Sequence, residues 1–541
     1  MRFRCATLVV LLAGVVALAG GQPVAAHDPS FIISNDAFYA HSLVTDGEYI
    51  AWRWGNTTPS SRSWGLFVAR VSDATQIFST TVASGSHAIG DDKVVWERRF
   101  RGVDENNQTI ADPGIYGQNL ITGEPFTVTT ESTYNLAMHG SVVVWVACGT
   151  TGHNDCAIRM RDLAGGDTVD VARTQRYYLG GGLHYNGYVV TWQETDSAYG
   201  ERVYLMGVRQ GEQPVQLLSE TKIGRYDLNG NLLVWVDANR NLTVRDLSTS
   251  AIRVLADVMV DQHLIATDGR YVVWGQVGDT SDAAVFAWDT ATDSRFTVIT
   301  YPAPDNLVLD VACANGVITW RHWGGNTGPK ELRAAHLADV LPTGREPDPG
   351  TTDPAWNYYP ETGHYLSQGF RDYWEANGGL PVFGYPLTEE YYQHGFPAQF
   401  TERQRFEWHA ENIGTPYQVL LGRLGAELLV AQGRDWTTFP KADPAAPQYM
   451  PETGHAIAPE FWDDWTSHGL DLGDPDVSFR ESLALFGYPL SEPMLETNAD
   501  GDRVLTQYFE RAVFEYHPDN PAEYSVLLRR LGAELLDTQG W

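Results

Sequence analysis

Positive charge is scarce in this chain. Its 541 residues carry 37 Lys and Arg against 68 Asp and Glu, a formal net charge of −31, and Lys93, Lys222, Lys330 and Lys441 are the only lysines. Such an excess of negative charge repels phosphate backbones and anionic membrane surfaces, which argues against nucleic acid as a partner. No apolar run after the first 26 residues is long enough for a membrane span. The G-x-S-x-G elbow, the H-E-x-x-H helix and the phosphate-binding loop are all missing. The fragment from Asp237 to Asn241 lacks the glycine that a calcium loop needs. No cofactor, metal site or catalytic residue is therefore assigned, although a carboxylate pair that hydrolyses a glycoside needs no local motif.

Cysteine is also rare, with 4 in all. Cys148 and Cys156 flank a short polar loop and are expected to form a disulfide; the alternative, a metal pair with His153, falls short of the four ligands of a zinc site. Cys313 sits in an apolar strand and reads as a small buried hydrophobe. At the start, Arg2 and Arg4 precede an apolar run from Cys5 to Ala19 and the small residues Val24-Ala25-Ala26. That order marks residues 1–26 as a cleaved secretory signal and predicts a secreted, extracellular protein. The remainder is too long for one core, so several domains are expected.

What is present in abundance is a repeat. A tight turn followed by an apolar strand ending in tryptophan recurs at TDGEYIAW, GDDKVVW, HGSVVVW, NGYVVTW, NGNLLVW, DGRYVVW and NGVITW, ending at Trp52, Trp96, Trp145, Trp192, Trp235, Trp274 and Trp320. The intervals are 44, 49, 47, 43, 39 and 46 residues, a period that suits one four-stranded propeller blade. Asp-Gly and Asn-Gly supply the positive φ of a hairpin turn, and each repeat continues with an alternating strand, a polar turn and a β-branched strand. One tryptophan per repeat in one register is core packing. The prediction is a mainly β chain whose residues 27–341 form a seven-bladed propeller. Its last blade is completed by Phe31-Ile32-Ile33-Ser34, which otherwise has nothing to pair with.

The Trp-ended strand after Asp-Gly, together with the turn Arg245-Asp246-Leu247-Ser248-Thr249, resembles the TolB-like propeller family over residues 31–341. That resemblance implies a platform for binding proteins or glycans, or at times a support for a hydrolase. His41, His87, His184 and His263 each precede a blade tryptophan but at differing offsets, so they read as solvated channel histidines and not as one metal site.

Residues 342–355, rich in Pro, Gly and Thr, read as a tether. Beyond it, residues 356–432 and 447–541 are two copies of one pattern: PETGH at 360–364 and 451–455, FGYPL at 383–387 and 486–490, FTERQRFEWH against YFERAVFEYH, and LGAELL at 424–429 and 531–536. Each copy is expected to be a small α+β module, with a helix around Phe370–Trp374 stopped by Gly378-Gly379 and a closing helix from Val419 to Leu429. The FGYP turn with its aromatic hairpin resembles the LGFP-type repeats of exported bacterial envelope proteins, and implies cell-wall association. Phe383 and Phe486 stand where the name motif has Leu, and Tyr385 and Tyr488 precede the proline.

Within the repeats the candidate binding residues are Tyr385, Trp408 and His364 in the first copy and Tyr488, Tyr516 and His455 in the second. Flat aromatics beside carboxylates suit sugar rings, and core packing is the other use for them. The histidines are either ligands or parts of Thr-Gly-His turns. The leading expectation is a secreted non-catalytic binding protein whose partner is a cell-envelope polysaccharide or a surface protein. The alternative is a propeller-based glycoside hydrolase or lyase that uses the repeats for targeting, and a surface-layer component is a third reading.

Overall fold

The computed structural model describes residues 30–541 apart from 36–39, 56–63, 83–84, 99–101, 104–108, 112, 149–155, 175–181, 196–202, 221–224, 238, 256–263, 277–281, 326–327, 345–355 and 499–500. The signal segment and most of the expected tether lie outside these residues. The fold is mainly β, and its local rule is set by the turns. Asp46 Oδ1 accepts from the amides of Glu48 and Tyr49, Asn186 Oδ1 from those of Tyr188 and Val189, and Asp268 Oδ1 from those of Arg270 and Tyr271. The side chain thus closes the turn while the next residue, Gly47, Gly187 or Gly269, takes φ of 94, 87 or 98°, a conformation costly for any residue with a Cβ.

Each of the repeat tryptophans lies on the second strand of its own antiparallel sheet. The first strands of these sheets are Ala40–Thr45, His87–Gly90, Thr133–His139, His184–Tyr185, Tyr226–Asn229, Ile265–Thr267 and Asn306–Ala314. Every one packs against the next, and Asn306–Ala314 returns to Ala40–Thr45. The tryptophans are at most 8% exposed, buried where neighbouring sheets meet. A lone sheet of this kind would leave both faces wet, so each depends on its neighbours for burial. In the Trp320 sheet the outer position is filled from the beginning of the chain: Phe31–Ser34 pairs with Lys330–His336, Phe31 opposite Ala334 and Ile32 opposite Arg333. Arg333 donates to the Ser30 hydroxyl and fastens that strand.

In the first C-terminal copy, Trp356–Tyr359 and His364–Ser367 form a hairpin around PETGH, followed by helices Gln368–Ala376 and Gly379–Phe383. Three strands follow, Tyr391–Gln393, Phe396–Phe400 and Arg405–Trp408, then a fourth, Val419–Leu421, and the helix Leu424–Ala431. The second copy repeats this order and ends in the helix Leu531–Gln539. The first helix ends ahead of Gly378, as expected, and Gly379 opens a second short one. One expectation needs correction. The segment from Val419 is a strand, because it pairs with Arg405–Trp408 before Gly422 releases the chain into the helix.

The C-terminal part is docked on the Trp274 sheet. The outer strand of that sheet, Ser294–Tyr301, pairs with Tyr391–Gln393, Ser294 opposite Gln393 and Arg295 opposite Tyr392, so the first copy extends the sheet to eight strands. Pro342, expected to belong to the tether, accepts from the Glu389 amide. Arg270 donates to the Gln539 carbonyl and the Trp541 indole to Asp289. One continuous apolar core runs from Val285, Phe296 and Val298 to Tyr391, Leu428, Leu535 and Leu536. The driving force is an open strand edge beside buried apolar side chains, both satisfied by one contact.

The two copies also interlock. The amide of Gly425 donates to the carbonyl of Glu510, and that of Gly532 to the carbonyl of Glu402, so each closing helix starts on the other copy's hairpin turn. A Cβ at Gly425 would lie 2.0 Å from the Phe509 carbonyl oxygen, and one at Gly532 1.9 Å from that of Thr401.

Candidate functional site

The first strands enclose a central cavity of about 1100 Å³. Asp227 lies on its wall, and Asp310 and Glu97 are buried in the sheets around it; sequence reasoning passed over all three. Asp227 Oδ2 accepts from the amide of Thr267 on the next sheet, while Oδ1 accepts from the amide of Leu228 and stands 3.2 Å from His184 Nδ1. Burial pushes this carboxyl up, but His184 and the Thr267 amide outweigh it and hold it below its ordinary value. Asp310 Oδ2 accepts from the amide of Leu43, again on the following sheet, and Oδ1 from Arg225. Glu97, 1% exposed, accepts from the Ser86 amide and from the Thr133 hydroxyl of the neighbouring sheet. Each acid is a sheet-to-sheet fastener. The only trace in the sequence is a lone acid in an apolar strand.

His87 departs from the solvated reading. Its ring is 6% exposed, with Nε2 3.4 Å from the Ala51 carbonyl, and burial followed by the charge of Arg53 lowers its pKa to about 4. His184 is bonded to Asp227 and packs its ring 4.5 Å from that of Tyr226. His263 and the side chain of His41 lie outside the described residues. Among the described residues no three or more His, Cys, Asp and Glu side chains gather as a metal site would require. Cys148 and Cys156 stand opposite each other in register and are joined by a disulfide, and Cys313 is buried as a free thiol. His153 lies outside the described residues.

In the repeats the structure separates the six candidates into equivalent pairs. His364 and His455, both buried, place Nδ1 3.2 and 3.1 Å from Glu389 and Glu492, and these same carboxylate oxygens accept from the amides of Tyr365 and Ala456. Lys441 lies 2.9 Å from His455 Nε2, and burial, followed by that positive charge, lowers the histidine's pKa against the pull of Glu492. The geometry is that of a hairpin brace. Trp408 and Tyr516 pack at the margin of the aromatic core around Phe370, Phe406 and Phe514, with Trp408 edge-on to Phe370.

Tyr385 and Tyr488 are different. Both are half-buried, near the exposed PETGH carboxylates, Glu361 for Tyr385 and Glu452 for Tyr488. Desolvation first, and then these charges, raise both phenol pKa values. The amides of Tyr385 and Tyr488 donate to Glu402 and Glu510 at 3.2 Å. These two glutamates, overlooked from sequence, take an arginine from the opposite copy: Arg530 lies 3.5 Å from Glu402 and Arg423 2.8 Å from Glu510.

No family model and no curated protein matches the chain. Solved structures similar to it are β-propeller proteins. They include the β-propeller domain of the Trilobed protease from Pyrococcus furiosus, at 13% identity and a TM-score of 0.40, covering 56% of this chain and 96% of that one. TolB from Acinetobacter baumannii shares 16% identity at a TM-score of 0.33 over 48% of this chain and 65% of that one. A prolyl endopeptidase shares 13% identity at 0.41 over 70% of this chain, which spans about half of that protein's length, 54%. The likeness is one of fold.

Proposed function

We propose that this chain is a secreted, non-catalytic binding protein. Residues 1–26 direct export, and residues 27–341 form a seven-bladed, TolB-like propeller that presents a surface to a glycan or a surface protein. Residues 356–432 and 447–541 are LGFP-like α+β repeats that associate with the cell envelope. The observation that carries this reading is the use made of three acids. Asp227, Asp310 and Glu97 each accept from a backbone amide and from, or toward, the next sheet, so they hold the ring together. A glycoside hydrolase needs a carboxyl that gains and loses a proton beside the bond being cut. Carboxylates committed to fixed amide donors are ill suited to that exchange.

Docking of the repeats on the Trp274 sheet gives the propeller a fixed orientation relative to whatever the repeats hold. The test uses the full chain. It is expected to be found in the extracellular or cell-surface fraction, to co-sediment with purified cell walls, and to release no new reducing ends from them. Loss of co-sedimentation would remove the attachment role, and release of reducing ends would replace binding with hydrolysis.

A further inference from the structure

We propose that the seam between the two repeats carries two equivalent binding sites for neutral polyhydroxylated sugars, each completed by an arginine of the opposite repeat. The proposal rests on the envelope-association reading above and names the place where that association is made. One site comprises Tyr385, Glu361 and Glu402 of the first repeat with Arg530 of the second. The other comprises Tyr488, Glu452 and Glu510 of the second repeat with Arg423 of the first.

Three independent features point to this pair of sites. The FGYP tyrosines are half-buried in both copies, whereas Phe370 and Phe461, Phe383 and Phe486, and Phe406 and Phe514 are buried and Tyr417 and Tyr524 are exposed. A ring fixed on one side and open on the other is the surface on which the apolar face of a sugar stacks. Second, both tyrosines are flanked by two carboxylates and one guanidinium, acceptors and donors together, which matches hydroxyl groups that both give and take hydrogen bonds. Glu361 and Glu452 are exposed and leave acceptor capacity toward solvent.

Third, the copies have diverged at interior positions while these side chains are the same. Tyr359 against Met450, Tyr373 against Asp464, Arg405 against Val513 and Gly422 against Arg529 are paired differences. The glycines of the motif shape both sites alike: a Cβ on Gly384 would strike Glu402, and one on Gly487 would strike Glu510. Their φ of 77° in each copy lets the carboxylate fold over the turn. Because Glu402 and Glu510 each reach across the seam, neither repeat by itself forms a whole site, and the chain holds its ligand through two points.

The experiment is titration calorimetry of the full chain with a short, size-fractionated neutral oligosaccharide from purified cell walls. The expected stoichiometry is two for the wild type, one for Tyr385→Ala or Tyr488→Ala, and none for the double variant. Arg530→Ala is expected to weaken the first-repeat site alone, by about tenfold, as loss of one charged hydrogen bond would. Glu361→Gln and Glu452→Gln, changes at exposed positions, repeat the test without risk to folding. Two sites that persist in the double tyrosine variant would overturn the assignment. A protein that sediments with whole cell walls but takes up no neutral oligosaccharide would overturn these sites and leave envelope association standing. Failure to sediment at all would remove both.

Discussion

Arg405 and Arg529 deliver a guanidinium to the same place in their repeats from different chain positions, Arg405 from a strand and Arg529 from just beyond one. Arg405 bonds Glu407 and Glu427, and Arg529 bonds Glu534 while lying 3.8 Å from Glu515. Glu407 and Glu427 of the first copy are the counterparts of Glu515 and Glu534 of the second. Where the first copy has Arg405 the second has Val513, and where the second has Arg529 the first has Gly422. A Cβ on Gly422 would lie 2.9 Å from Arg405 Nη2, so a side chain from that strand would enter the space the guanidinium fills.

This exchange can be tested directly. Arg405→Val leaves two carboxylates facing a void, and since both are partly solvated the expected loss is about 2–3 kcal/mol. Adding Gly422→Arg should return part of it. A double variant no more stable in urea than Arg405→Val would show that the two arginines are not equivalent.

Interlocking of the repeats depends on glycine at 425 and 532. Alanine at either position overlaps a carbonyl oxygen of the other repeat, and relief requires backbone movement that costs about 1–3 kcal/mol. Each single variant is expected to lower the melting temperature. An unchanged melt would mean the seam opens readily.

The docked tail should unfold with the Trp274 sheet. Asp289 is fully buried and accepts from Arg270, the Ala291 amide and the Trp541 indole. Trp541→Ala is expected to expose the edge of the Ser294–Tyr301 strand to limited proteolysis and to split one calorimetric transition into two. A wild type that already melts in two well-separated steps would contradict this coupling.

Closure of the Trp320 sheet gives a prediction of its own. Removing residues up to 35 deletes the Phe31–Ser34 strand, strips Lys330–His336 of its partner, and takes Ile33 out of the core so that its neighbours Leu332 and Ala334 are uncovered. The melting temperature is expected to fall sharply, and an unaffected melt would discard this closure.

His87 predicts a pH dependence. Its pKa of about 4 in the fold lies below the ordinary value of 6.5, so the unfolded chain takes up a proton that the folded chain refuses. Its contribution is complete above about pH 6.5, falls as pH drops toward 4, and changes no further below that. The span is worth at most about 3 kcal/mol. His87→Gln should flatten the stability profile between these limits in urea melts taken at several pH values, and a variant with the wild-type slope would assign the dependence to other groups.

Local chemistry was legible before any coordinates. Asx-Gly turns, the tryptophan register, the pairing of Cys148 with Cys156 and the need of Phe31–Ser34 for a strand partner all follow from side-chain preference and chain spacing within a few tens of residues, or from one unpaired strand in a counted series. The helix expected from Val419 failed for the opposite reason: three apolar residues suit helix and strand equally, and the partner strand decided between them.

Contacts between distant surfaces had no such signature. The repeated sheets and the two copies of the C-terminal pattern can be read from the chain alone, because period and turn chemistry are properties of neighbouring residues. It takes the packed fold to show that the tail extends the Trp274 sheet, that Asp227 and Asp310 fasten one sheet to the next, and that Glu402 meets Arg530 across the seam. Each of those depends on which edges and faces come together, and that choice is settled by burying apolar area and satisfying buried amides over the whole molecule.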